Sequence, residues 1–206
     1  MSSTSATPSA PARVGSDATT TVQGALAAID TEVQRTMSVI LAADPVPFAA
    51  ALDRVRAAER VFVLGAGRSG LALRMTAMRL MHLGLTVHVV GETTAPAITR
   101  GDVLLVASGS GTTTGIVRAA TTAVSVGAGV VAITTDGDSP LAQLATATIV
   151  IPAAQKTDHG GTVSQQYSGS LFEQALMLFG DALFHALWQS TGVSAEELWP
   201  RHANLE

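Results

Sequence analysis

Short apolar runs at residues 61–64, 86–90, 103–107, 130–134 and 149–151 constrain this chain more than any other feature. They are rich in Val, Ile and Leu, too short for helices, and mostly lack polar alternation, which is the pattern of strands buried on both faces. Helical patterns separate several of them, at residues 70–83 and 113–126 and in a short piece near Leu141. Buried strands alternating with helices make a parallel sheet with helices on both sides and right-handed crossovers. The expected fold class is therefore α/β, a three-layer sandwich around a five-stranded parallel sheet. In such a sheet a ligand binds beyond the carboxyl ends of the strands, near the point where strand order reverses.

Glycine-rich loops follow two of the runs. The run 103–107 breaks into Ser108-Gly-Ser-Gly-Thr-Thr113 and continues as a helix. Strand, hydroxyl-and-glycine loop, helix is the arrangement that seats a phosphate on free helical amides. Gly111 and its neighbours let the backbone come close, and Ser108, Ser110, Thr112 and Thr113 supply hydroxyls. The loop has no lysine, which excludes a Walker-type loop and favours a phosphorylated small molecule. An ordinary strand-to-helix turn is the alternative. The first run leads into Gly65-Ala-Gly-Arg-Ser-Gly70, and Glu92 closes the second run. That combination meets the dinucleotide-binding fingerprint. Against that reading, the second phosphate-type loop is surplus to a dinucleotide fold, and little chain remains for a substrate domain. Both loops lie at carboxyl ends and can converge on one ligand.

Residues 1–19, mostly Ser, Thr, Ala and Pro, read as a disordered tail, and 20–206 as one domain. Helical patterns at 20–43 and 46–58 meet at Asp44-Pro45, an N-cap followed by proline in the first turn. They precede every strand and are expected outside the sheet or against another subunit. With 47% hydrophobic and 14% charged residues, much of the chain must be buried in a core or between subunits. No apolar run reaches the roughly 18 residues that span a bilayer. A net charge of −4 argues against nucleic acid, and the absence of cysteine is compatible with a cytoplasmic location. The polar stretch 152–168, with Lys156, Asp158 and His159, is long enough to be functional.

Glu173 is the only acid between Asp158 and Asp181 and opens an apolar helix over 170–189. Two readings stand: a capping box, Ser170-x-x-Glu173, or a base. Of the five histidines, His82, His88 and His185 sit in or beside apolar elements and read as structural. His159 lies in the polar stretch and His202 near the terminus. No pair has metal-ligand spacing, so no metal site is expected.

Three stretches together resemble the SIS (sugar isomerase) domain with flavodoxin-like topology, and specifically the 6-phospho-3-hexuloisomerase family. They are Gly65-Ala-Gly-Arg-Ser-Gly70 with Ala77-Met-Arg-Leu-Met-His-Leu-Gly84, Val89-Val-Gly-Glu-Thr-Thr-Ala-Pro-Ala-Ile98, and Arg201-His-Ala-Asn-Leu-Glu206. The 108–113 loop matches the superfamily's sugar-phosphate motif. The resemblance runs from about residue 22 to the end. It departs at Thr112, where the family usually carries an acid. It implies interconversion of D-arabino-hex-3-ulose 6-phosphate and fructose 6-phosphate, the second step of formaldehyde fixation in the ribulose monophosphate pathway. It also implies a homotetramer, no cofactor, and coupling to the hexulose-phosphate synthase. By this resemblance Glu173 is the base and His202, from a neighbouring subunit, moves a hydroxyl proton. Gly67, Ser69, Ser108, Ser110, Gly111, Thr112 and Thr113 bind the substrate's phosphate end, while Arg68 and Glu92 orient the sugar. The alternatives are an arabinose 5-phosphate type isomerase, a sugar-phosphate-sensing regulator and an NAD-dependent dehydrogenase.

Overall fold

Successive side chains of a strand point to opposite faces, and the core of this protein divides accordingly. The computed structural model describes residues 20–155 and 164–205. Its sheet comprises β1 (Val61–Gly65), β2 (Val87–Val89), β3 (Val103–Ala107), β4 (Gly129–Thr134) and β5 (Ala147–Val150). All four pairings are parallel, in the order β2-β1-β3-β4-β5. Val61 lies opposite Val87 on one side and Val103 on the other. The parallel sheet and its flavodoxin-like order are as expected.

Val61, Val63, Leu105 and Ile133 face one layer, built from α2 (Val46–Ala57), α3 (Gly67–His82) and α6 (Ser170–Thr191). Phe62, Leu104, Val106 and Val130 face the other, built from α4 (Thr114–Ser125) and α5 (Pro140–Leu144). Leu73 and Leu80 of α3 and Leu176 of α6 are fully buried, each stabilising the fold by about 1.5–3 kcal/mol. The helix α1 (Val22–Ala42) lies outside, packing Val33, Met37 and Ile40 against this first layer. The chain closes with α7 (Ala195–Leu198), capped by Ser194 and Glu197, and a 3-10 turn at Trp199–Arg201. Among the described residues no single helix is long and apolar enough to cross a membrane.

Several expectations are corrected. Helix α2 does not sit outside the sheet: Ala51 and Val55 have no exposed surface and belong to the core beside β5. It starts at Val46 as expected and ends one residue early at Ala57; Pro45 takes the cap position, while Asp44 Oδ1 accepts from the Val46 N–H at 2.9 Å. Strand β5 begins two residues earlier, where Ala147 and Thr148 pair with Val131 and Ala132. Alanine is a poor strand former, and pairing with a central strand overrides that preference. The expected tail at 1–19 and Lys156, Asp158 and His159 lie outside the described residues.

The first glycine loop shows why its glycines stand where they do. A side chain on Gly65 would lie 2.8 Å from the Gly70 amide, and one on Gly70 would run into the Gly65 carbonyl. The first turn of α3 is thereby drawn tightly onto the end of β1. Gly70→Ala should destabilise the fold by about 1–3 kcal/mol through this overpacking. Gly115→Ala, at an exposed helical position with nothing within 4 Å, should be neutral or stabilise by about 0.4–1 kcal/mol. Denaturant unfolding of both variants checks this, and equal stabilities would contradict the close approach.

Candidate active site

Beyond the ends of β1 and β3 the two loops enclose a cavity of about 270 Å³. Ser69 at the start of α3 and Ser108 at the end of β3 are both buried and line it, with Ser110, Thr112 and Thr113. Ser108 Oγ and Thr113 Oγ1 lie 3.1 Å apart. Ser110 Oγ accepts from the Thr112 amide and hydroxyl, at 3.3 and 2.9 Å, which leaves its own hydrogen for a ligand. Neither α3 nor α4 has a side-chain cap, so their first amides are available to an anion. Gly67, the first residue of α3, has a φ of 58°, a conformation that glycine adopts without strain. Among the described residues no charged side chain lines the cavity.

The second loop is held from below. The Gly109 carbonyl accepts from the Thr135 amide at 2.9 Å and from the Thr134 and Thr135 hydroxyls at 3.1 and 2.8 Å. Gly111 has a φ of 62°, and a side chain there would collide with that of Ser139. The end of β4 and the start of α5 thus fix the curvature of 108–113.

The first turn of α6 lies alongside. A side chain on Gly109 would stand 3.7 Å from the Phe172 ring. The next residue, Glu173, is buried at 4% exposure and forms an ion pair with Arg68 Nε from the start of α3. The capping box does not form. The residue before α6 is Gly169 in the left-handed region, and the Ser170 hydroxyl donates to the Tyr167 carbonyl at 2.7 Å. Glu173 is turned instead toward α3, with its charge at the positive end of its own helix.

Two expected site residues stand elsewhere within the chain. Glu92 pairs with Arg74 at 3.0 Å and lines a separate hollow with Arg118 on the α4 side of the sheet. His202 stacks on His82 with ring centroids 4.0 Å apart, at the far end of α3 from Ser69. Ser69 and His82 are thirteen positions apart on α3, a rise of about 20 Å, which removes this His202 from the cavity of its own chain. The stack is fastened by Arg201 Nη1, which donates to the His82 carbonyl at 2.9 Å. Burial, and then His202 and Arg79, push the His82 imidazole below its ordinary value. One polar lining residue escaped the reading of the sequence: Gln155, just past β5. Its place beyond a strand's carboxyl end was the available signal. Among the described residues no three His, Asp or Glu side chains gather as metal ligands would.

Residues 55–178 match the SIS domain family. A 3-hexulose-6-phosphate isomerase of Mycobacterium gastri is 63% identical over 163 residues, 79% of this chain and 82% of that protein. A 3-hexulose-6-phosphate isomerase of Bacillus subtilis is 39% identical over 155 residues, 75% of this chain and 84% of the other. A crystal structure from Methanococcus jannaschii, for which the function of 3-hexulose-6-phosphate isomerase was inferred, superposes with a TM-score of 0.77 at 27% identity, covering 88% of this chain and 99% of that one. The first glycine loop, which met the dinucleotide fingerprint, is thus part of a SIS domain, and the chain belongs to the SIS domain family, within its 3-hexulose-6-phosphate isomerase branch.

Proposed function

We propose that this protein is the isomerase that interconverts D-arabino-hex-3-ulose 6-phosphate and fructose 6-phosphate. The observation that carries the reading is a buried carboxylate, Glu173, beside a hydroxyl-lined cavity, in a chain 63% identical to an isomerase of that name. The phosphate sits on the amides of α3 and α4 and the hydroxyls of Ser69, Ser108, Ser110 and Thr113. Glu173 removes the proton from C3 of fructose 6-phosphate, and the C3–H electron pair forms the C2–C3 double bond of a cis-enediolate. The proton returns at C2 while the C3 hydroxyl gives up its own, leaving the ketone at C3. Arg68, 65% exposed along its side chain and already paired with Glu173, is free to turn its guanidinium toward the enediolate oxygens. The step is redox-neutral within one molecule and needs no nicotinamide.

The second proton, between the oxygens, is assigned to His202 of the partner subunit, because His202 lies a helix length from the cavity of its own chain. Leu71, Met75 and Met78 form an exposed apolar stripe along α3, starting two residues from Ser69. Val22 and Leu26 of α1 are exposed as well. Such surfaces mark protein contacts and support an oligomer, a tetramer by family resemblance. Sugar phosphates do not cross bilayers unaided, which supports a cytoplasmic site of action alongside the synthase that makes the 3-ketose. The arabinose 5-phosphate type of isomerase shares the fold but would act at C1.

Three variants test the assignment. Ser110→Ala should weaken substrate binding by about 1–3 kcal/mol, the worth of a hydrogen bond to a charged group, with thermal stability retained. An unchanged KM would remove Ser110 from the phosphate site. Glu173→Gln should bind phosphate normally but lose at least about a hundredfold in turnover, and near-normal turnover would move the base elsewhere. Mixing inactive Glu173→Gln with inactive His202→Ala and allowing subunits to exchange should restore activity, since one hybrid site then holds both groups. Failure to complement, with exchange verified, would contradict a shared site.

A further inference from the structure

The chain enters α6 through a tight, unusual turn. Ser168 has a φ of 46°, the one positive value outside glycine among the described residues, and Gly169 follows at 80°. A non-glycine residue such as Ser168 persists in the left-handed region only where its surroundings over-determine it. Here the surroundings are supplied by α1, which the proposed chemistry leaves unused. Glu32, on the inner half of that helix, accepts from the Ser164 hydroxyl at 2.6 Å, the Gln165 amide at 2.8 Å and the Gln166 side-chain amide at 3.0 Å. Gln166 in turn exchanges two amide hydrogen bonds with Gln174 of α6, at 3.1 and 2.7 Å. Gln174 is the residue next to Glu173.

We propose that Glu32 is a positioning residue for the isomerase reaction: from α1 its carboxylate fixes the turn that aims the first coil of α6, and with it Glu173, at the substrate. The inference rests on Glu173 as the base. Three donors converge on one carboxylate, and only an anion can accept from all of them through two oxygens. Burial alone would push Glu32 up, yet these hydrogen bonds, with Arg35 nearby, hold it below the ordinary carboxylate value. Glu32 therefore stays charged, and the link intact, through neutral pH. The path from Glu32 to Gln166 to Gln174 is continuous and includes none of the described residues that line the phosphate cavity. Its loss should disturb the placing of the base and spare the seat of the phosphate.

The test compares Glu32→Gln and, separately, Gln174→Leu with wild type for kcat, KM and the dissociation constant of inorganic phosphate. The first variant replaces an acceptor by a donor without changing size, and the second cuts the same link at its α6 end. In both, kcat should fall about ten- to hundredfold, as for a catalytic group displaced by a fraction of an ångström, with phosphate affinity unchanged. The double variant should lose no more than the worse single, because both break one link. If Glu32→Gln fails to fold, Gln174→Leu alone decides. Wild-type kcat in the folded single variants, or phosphate affinity falling in step with kcat, would overturn the proposal. Glu173→Gln is measured alongside. Near-normal turnover there removes the base and this inference together, whereas an inactive Glu173→Gln beside a fully active Glu32→Gln overturns the positioning role alone.

Discussion

Between β1 and β3 the sheet reverses its direction of winding, so α3 leaves toward one face and α4 toward the other. A crevice must open between two helices that diverge from adjacent parallel strands, and both present their N-termini to it. Neither end is capped by a side chain. The Gly65–Gly70 contact pulls one rim inward, and Thr134, Thr135 and Ser139 shape the other. The proposed phosphate seat rests on this geometry, with no cation among the described residues of the lining. Fixed amide and hydroxyl dipoles cost no reorganisation when the anion arrives.

The proposed base is arranged on the opposite principle. Glu173 is a charge taken almost wholly out of water, which costs several kcal/mol unless it is compensated. Compensation comes from the first turn of α6 and from Arg68, whose own side chain stays largely in solvent. Such a pair is one-sided: the carboxylate is fixed by packing, while the guanidinium is free to leave. A site built this way can exchange the Arg68 contact for a substrate oxygen without moving Glu173. Rigidity is supplied from outside, by the network that ties the turn before α6 to α1.

Much of this was legible in the sequence because parallel strands buried on both faces leave an unmistakable mark. Val103–Ala107 could be nothing else, and the loop after it carried its own chemistry in Ser108, Ser110 and Thr113. What the pattern could not carry was direction. Ser170 and Glu173 have capping-box spacing, yet Gly169 takes the left-handed conformation and turns Glu173 toward α3 instead. The α2 helix has an amphipathic pattern that suits an outer helix as well as an inner one, and only its packing beside β5 decides between them. Glu32 carries no local signal, since its partners lie far away in the chain. His202 stands at the end of the chain, and its stack on His82 depends on where α3 finishes.

The central claim is that the proton moved belongs to C3 of a ketose phosphate. Proton NMR of fructose 6-phosphate incubated with the enzyme in deuterated water reads this directly. The account predicts that the C3 hydrogen exchanges for deuterium while both C1 hydrogens persist, with signals of the 3-ketose appearing. Exchange at C1 in place of C3 would make the protein an aldose–ketose isomerase and contradict the account.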